Sequence, residues 1–179
     1  VVFGVILGTG VGGGIVVDGR CLVGANQIAG EWGHDPLPWP TPDEYPGTPC
    51  YCGRRGCIEA YLSGPGLARD HREHTGRDWT THHIVRAATV EHDAGARAAL
   101  ARYHDRLARA LAAVINVLDP DVVVLGGGMS NLPALADAVR AALPPHVFSD
   151  TIATRIVPNQ HGDSSGVRGA AWLWPPTAS

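Results

Sequence analysis

Lysine is absent from this chain. All 14 basic side chains are arginines, set against 17 acidic ones for a formal charge of −3. They are scattered, as Arg20, Arg69, Arg97 and Arg155 illustrate, so no basic stripe invites a nucleic acid. Arginine without lysine on an alanine-rich background reads as the coding bias of a GC-rich genome. Long apolar runs are missing too: none approaches the roughly 20 residues that cross a bilayer, so no membrane partner is expected. The apolar N-terminus "VVFGVILGTG" lacks the basic leader and cleavage pattern of a signal peptide. Cysteine is scarce, with four in all, and three of them crowd into one short window rather than forming a disulfide framework. The expected compartment is the cytoplasm. There is no initiator methionine, and Val1 already lies inside a strand-like run, so the chain is expected to be a piece of a longer one.

What is present is an alternation of elements. Val1 to Leu7 is nearly continuous in apolar residues, as a central buried strand would be. Ile15 to Val17 and Cys21 to Val23 are short β runs around Asp18–Gly19, a type I′ hairpin signal. Pro36, Pro38, Pro40, Pro42, Pro46 and Pro49 forbid helix and central strand alike, which makes residues 35–49 a stiff loop. From Cys57 the pattern turns helical. Ala94 to Leu118 carries Leu100, Tyr103, Leu107, Leu111, Val114, Ile115 and Leu118 at spacings of three and four, and Asp119–Pro120 ends it. "DVVVLGGGMSN" is a strand running into a glycine turn, and "LPALADAVRAALPP" is a helix with Ser130 or Asn131 as its N-cap. Thr154 to Val157 is a candidate strand and Gly166 to Trp174 a candidate last helix. A β-hairpin followed by alternating helix and strand is an α/β lobe.

Two glycine stretches stand out. "GTGVGG", Gly8 to Gly13, leads into a strand, so it lacks the helix that a dinucleotide fingerprint needs. A Walker loop would require a lysine. What remains is a glycine turn between strands, whose N–H groups and Thr9 hydroxyl suit a phosphate, or simply a tight hairpin that uses glycine for positive φ. At Gly126, Gly127 and Gly128 a strand ends before a helix, which suits close approach of a flat ring or phosphate but equally a plain strand-to-helix turn. Two such loops in one lobe favour a nucleotide.

Between them lies "GEWGHDPLPWPTPDEYPGTPCYCGRRGCIEA". His34, Cys50, Cys52 and Cys57 supply three thiolates and an imidazole, the donor set of a closed, structural tetrahedral zinc site. Glu31 and Glu59 flank it. Ionised carboxylates accept but do not donate, so a converging pair suits the hydroxyls of a polyol, while each alone reads as a solvated charge. His34 can bind metal through one ring nitrogen and offer the other to a ligand. Cys21 reads as buried filler, and His71, His74, His82, His83, His92, His104, His146 and His161 as surface residues.

"GTGVGGGIV", "GEWGH", "CYCGRRGCIE" and "VVLGGGMS", in this order over nearly the whole chain, resemble the ROK family of repressors, open reading frames and kinases. The resemblance implies the C-terminal lobe of an actin-like (ribonuclease H-like) sugar kinase fold with a zinc-binding loop. It implies a second phosphate loop at 8–14, a sugar and zinc loop at 30–60 and an adenosine loop at 124–131. Position by position, Glu31, His34 and Glu59 would hold sugar hydroxyls, and His34, Cys50, Cys52 and Cys57 would hold zinc. Gly8, Thr9 and Gly10 would face ATP phosphates, and Gly126, Gly127 and Gly128 the adenosine. Mg²⁺ would accompany ATP, and family members are often homodimers. The proline-rich stretch after "GEWGH" is most similar to the fructokinase and mannokinase branch. The first phosphate loop and the catalytic Asp belong to an N-terminal lobe that this chain lacks, so no catalytic residue is assigned in it. The resemblance therefore implies ATP-dependent hexose phosphorylation by the parent protein. The alternative is the sugar-sensing domain of a ROK-type repressor.

Overall fold

The computed structural model describes residues 1–162. Five strands form one mixed sheet. β1 (Val2–Leu7) pairs antiparallel with β2 (Val11–Val17), which pairs antiparallel with the two-residue β3 (Arg20–Cys21). On its other side β1 runs parallel to β4 (Val122–Gly126), and β4 parallel to β5 (Arg155–Pro158), for an order β3-β2-β1-β4-β5. Asp18 and Gly19 turn the β2–β3 hairpin, both with positive φ (49° and 76°), as a type I′ turn requires.

Strand alternation decides the core. Phe3, Val5 and Leu7 are buried, together with Val123, Leu125 and Ile156 of the parallel neighbours. The intervening Val2, Gly4 and Ile6 are not, and Ile6 is 41% exposed. The continuous apolar run therefore does not make β1 a strand buried on both faces in this chain: among the described residues only one face is covered.

That face is covered by helices. The segment after Cys57 forms two helices rather than one: α1 (Ile58–Leu62) stops at Ser63, whose side chain accepts from the Gly66 N–H and so caps α2 (Gly64–Thr75), with Pro65 in its first turn. Helix α3 (Thr81–Thr89) is capped by Thr80 and buries Ile84, Ala87 and Ala88, a spacing of three and four that sequence reading passed over. Helix α4 (Ala94–Leu118) is the one the periodicity predicts. Its Asp93 cap accepts from the Ala96 N–H, and Asp119, in the left-handed region at φ 46°, terminates it. α4 packs against α1, α2, α3 and α5 and carries the core through Tyr103, Leu107 and Leu111.

Helix α5 (Leu135–Ala142) starts later than its expected Ser130 or Asn131 cap. Ala134 stands at its N-cap in the left-handed region, because residues Gly128–Asn131 are consumed in a single 3-10 turn. Ser130 instead donates from its hydroxyl to the Gly127 carbonyl. The candidate helix at Gly166 to Trp174 lies outside the described residues.

Two minor readings are corrected. Cys21 is exposed rather than buried, since β3 is a short edge strand. His71 is fully buried and stacks on Trp79 at 4.9 Å, which in turn stacks on His83 at 4.2 Å; His104 is half-buried. Arginine and histidine side chains on α2 and α4 point inward here because they find stacking or ionic partners, which a helical period alone does not reveal.

Candidate functional site

β1 and β4 are parallel neighbours, with Ile6 opposite Gly126, so their carboxyl ends lie side by side. This is where ligands bind in open α/β sheets. The turn after β1 is tight and short: Gly8, Thr9 and Gly10 make it, with the Gly8 N–H donating to the Gly10 carbonyl at 2.9 Å. Gly12, Gly13 and Gly14 are already inside β2, so the glycine loop is half the length that the sequence suggests. At the end of β4, Gly127 has φ 81°, and a Cβ there would lie 2.4 Å from the Leu7 carbonyl oxygen. Only glycine lets the two turns sit this close.

A cavity of about 1070 Å³ opens beside them, lined by Gly8 and Thr9 on one side and Gly128, Met129, Asn131 and Leu132 on another. The start of α2 (Gly64, Pro65) and the face of α3 complete it, through Thr81, Val85, Arg86 and Thr89. The Gly64 N–H donates to the Gly8 carbonyl at 2.8 Å, bracing the turn on α2. Gly10, Gly126 and Gly127 do not line this cavity; they shape the turns behind it. The α3 residues were not anticipated, although the Thr80 cap ahead of Ile84, Ala87 and Ala88 is a readable start signal.

The cysteine window is built by hydrogen bonds among its own glycines and loop carbonyls. The Cys50 N–H donates to Arg54 O, the Gly53 N–H to Cys50 O and the Gly56 N–H to Thr48 O. Gly53 and Gly56 have φ 87° and 74°, which turns the chain back so that Cys57 faces Cys50 and Cys52. The donor atoms of His34, Cys50, Cys52 and Cys57 all lie within 4.8 Å of one another. Cys52 Sγ is 3.6 Å from Cys57 Sγ, and Cys50 Sγ is 3.6 Å from His34 Nδ1. A tetrahedral ion at zinc's usual bond lengths sets S···S and S···N edges of about 3.8 and 3.6 Å, so the residues fit such an ion. The thiols differ. The Arg54 backbone N–H leads in holding Cys52 down to about 7, while burial, followed by its neighbouring thiols, pushes Cys57 up to about 12. Three thiolates this close repel one another, so their joint ionisation calls for a cation among them.

The two carboxylates are not equivalent. Glu59, in the first turn of α1, accepts from the Val11 N–H through Oε2 at 2.8 Å, tying the cysteine window to the glycine turn. A Cβ on Gly10 would come within 2.7 Å of that oxygen, which explains a glycine there. Glu31 is exposed, beside a buried Trp32 whose indole N–H donates to the Gly12 carbonyl at 2.9 Å. Beside His34 stands Tyr51, a residue that sequence reading did not single out. Its hydroxyl hydrogen-bonds His34 Nε2 at 2.9 Å, and its pKa is raised by the charge of Glu59, then by desolvation, the Cys50 and Cys52 thiols and the charge of Glu31. The sequence-predicted residues thus gather in two adjoining places, one around the cavity and one around the Cys/His cluster, joined by Glu59.

The ROK family profile matches residues 1–177. The chain belongs to the ROK family. It is 42% identical to an N-acetyl-D-glucosamine kinase of Escherichia coli O6:H1 over 176 residues, which cover 96% of this chain and 58% of that protein. Among solved structures, the ROK hexokinase of Thermus thermophilus matches at a TM-score of 0.81 and 31% identity, covering 95% of this chain and 55% of that one. A ROK glucokinase of Streptomyces griseus, solved with glucose and AMPPNP, matches at a TM-score of 0.82 and 28% identity, covering 96% and 59%. This ROK chain therefore spans rather more than half the length of its relatives. The fold is the α/β fold of the ROK sugar kinases. Among the described residues no helix is long and apolar enough to cross a membrane.

Proposed function

We propose that this chain is the C-terminal lobe of a cytoplasmic sugar kinase, and that the parent protein transfers the γ-phosphoryl group of ATP to a hexose hydroxyl. One observation carries the reading. Glu59, in the first turn after the cluster's Cys57, accepts from the Val11 N–H just past the Gly8, Thr9 and Gly10 turn, so phosphate and sugar sites would adjoin at the ends of β1 and β4.

The division of roles follows the chemistry. In the Gly8, Thr9 and Gly10 turn, which the Gly8 N–H closes, the Thr9 and Gly10 N–H groups and the Thr9 hydroxyl would face the phosphates, and the cavity bounded by Gly128 and α3 would take adenosine, shaped by Gly126 and Gly127 behind it. Mg²⁺ would arrive with ATP. Glu31 and the free oxygen of Glu59 would accept hydrogen bonds from sugar hydroxyls, with His34 Nε2 as their partner. Zinc at His34, Cys50, Cys52 and Cys57, when bound, supplies the loop's fastening and fixes the His34 tautomer. We assign no general base here; a carboxylate of the other lobe would serve. Positioning and electrostatics dominate such transfers. The proline-rich loop speaks for a fructokinase or mannokinase, but the names of the relatives speak more directly for N-acetyl-D-glucosamine or glucose, and these rank first. A homodimer remains the expected assembly.

The test is an ADP-release assay on the full-length parent with N-acetyl-D-glucosamine, glucose, mannose and fructose, repeated with Glu59→Gln. Hexose-dependent turnover is expected, with sugar affinity falling roughly ten- to a hundredfold in the variant, equivalent to about 1.5–3 kcal/mol for a charged hydrogen bond. Sugar binding without turnover is what the repressor reading predicts, and it would overturn the kinase.

A further inference from the structure

Tyr51 sits between two members of the Cys/His cluster, yet it is 83% exposed. An exposed tyrosine in a loop ordinarily points into water. This one lies edge-on to His34 at 5.0 Å and 86°, with its hydroxyl 2.9 Å from Nε2. Nε2 is the His34 atom that faces away from the cluster, since Nδ1 faces Cys50. The phenol oxygen therefore occupies the outward nitrogen of His34, and it makes the hydrogen bond that a sugar hydroxyl would make there.

We propose that Tyr51 gates the sugar subsite: its hydroxyl substitutes for a sugar hydroxyl on His34 Nε2 and must swing out before a hexose can bind. This rests on the sugar-binding reading above. The gate is light. The hydrogen bond is exposed, so its net strength is at the low end for a protein hydrogen bond, and Tyr51 is 83% exposed, edge-on to His34. A ligand that needs the open arrangement has its apparent affinity reduced by the fraction of molecules that are open. Removing the hydroxyl lifts that reduction without touching Glu31, Glu59 or the metal-binding atoms. Tyr51 would then set how tightly a sugar is held rather than how fast it reacts.

The experiment compares full-length wild type with Tyr51→Phe and Tyr51→Leu. Titration calorimetry with N-acetyl-D-glucosamine and with glucose, in the absence of nucleotide, gives Kd; the kinase assay gives KM for sugar and for ATP; elemental analysis gives zinc per chain. Both variants should bind sugar about two- to tenfold more tightly than wild type, with the sugar KM falling in parallel and the ATP KM and zinc content unchanged. An unchanged Kd would show that the hydroxyl does not compete. A weaker Kd at full zinc content would show that Tyr51 contacts the sugar instead. Either result overturns the gate. A wild-type protein that binds no hexose overturns the sugar reading itself, and the gate with it, so the two failures are separable.

Discussion

The proline-rich loop of residues 35–49 is fastened by two polar clusters of opposite character. The Cys/His cluster closes both of its ends, at His34 and Cys50, and lies near the surface, with Cys52 exposed and His34 and Cys50 half-buried. Within the loop, Glu44 is buried between two arginines of α4: Arg106 Nε donates to its Oε1 at 2.7 Å and Arg109 Nη2 at 2.8 Å. Arg106 also reaches Asp70 of α2 at 2.7 Å, and Asp70 takes Arg102 as well. Arg109 Nη1 donates to the carbonyls of Pro38 and Trp39, satisfying loop groups that the prolines leave without ladder partners. The comparison teaches that a loop which cannot form helix or sheet still needs its polar groups paired. The two ends meet at donor atoms that suit a metal, and the middle is held by buried ion pairs.

The two fastenings differ in what breaks them. The largest effect is expected from Arg106→Ala, which takes one arginine from each of two buried carboxylates and leaves Glu44 with Arg109 and Asp70 with Arg102. Breaking such a pair one-sidedly costs about 3–5 kcal/mol, and urea unfolding should show it with zinc content unchanged. A loss below about 1 kcal/mol would mean that water relieves the carboxylates, and that the buried fastening is the weaker one.

Next in size is removal of the metal. If the cluster holds zinc at a free concentration of one hundred to a thousand times its Kd, chelation or Cys52→Ala should lower stability by about 3–4 kcal/mol. Hydrogen exchange should rise across residues 31–59 and not across α4. Cys21→Ser, which touches an exposed cysteine outside the cluster, should change neither readout. Full stability in a metal-free preparation would sink the zinc assignment.

The smallest effect is in acid. Burial alone would raise the Glu44 pKa, but the hydrogen bonds from Arg109 and Arg106 outweigh it, aided by the Thr41 N–H, and bring it from 4.5 to about 2. The folded value is depressed, so this contribution is whole above pH 4.5 and is lost as the pH falls toward 2. Asp70 is shifted in the same direction: burial opposes ionisation, and the bonds from Arg102 and Arg106 prevail. Stability of Glu44→Gln relative to wild type, followed from pH 6 to 2, should therefore converge as the pH drops, which isolates the ionic fastening because the Cys/His cluster is common to both. A constant difference across that range would rule out Glu44 as the titrating group.

The sequence by itself determined the cluster, the α4 helix and the placing of both glycine turns at strand ends. In each case the information is local: four donors and their turning glycines lie within residues 34–57, and the α4 period repeats along consecutive turns. The tertiary structure decided the rest. Glu44 and Arg106 are 62 positions apart, and each alone reads as a surface charge; only the packing of α2 and α4 under the loop makes them a buried pair. Glu59 reads as a free acceptor until α1 sets it 2.8 Å from the Val11 N–H. Tyr51 reads as a spacer between two cysteines until the loop folds it onto His34. His71 looks like an exposed helical polar residue until Trp79 covers it. Local pattern sets which backbone conformation and which donor set are available, because those depend on neighbours in the chain. Which charge is buried and which hydroxyl meets which ring depends on segments far apart in the chain, and those distances exist only once the helices have packed.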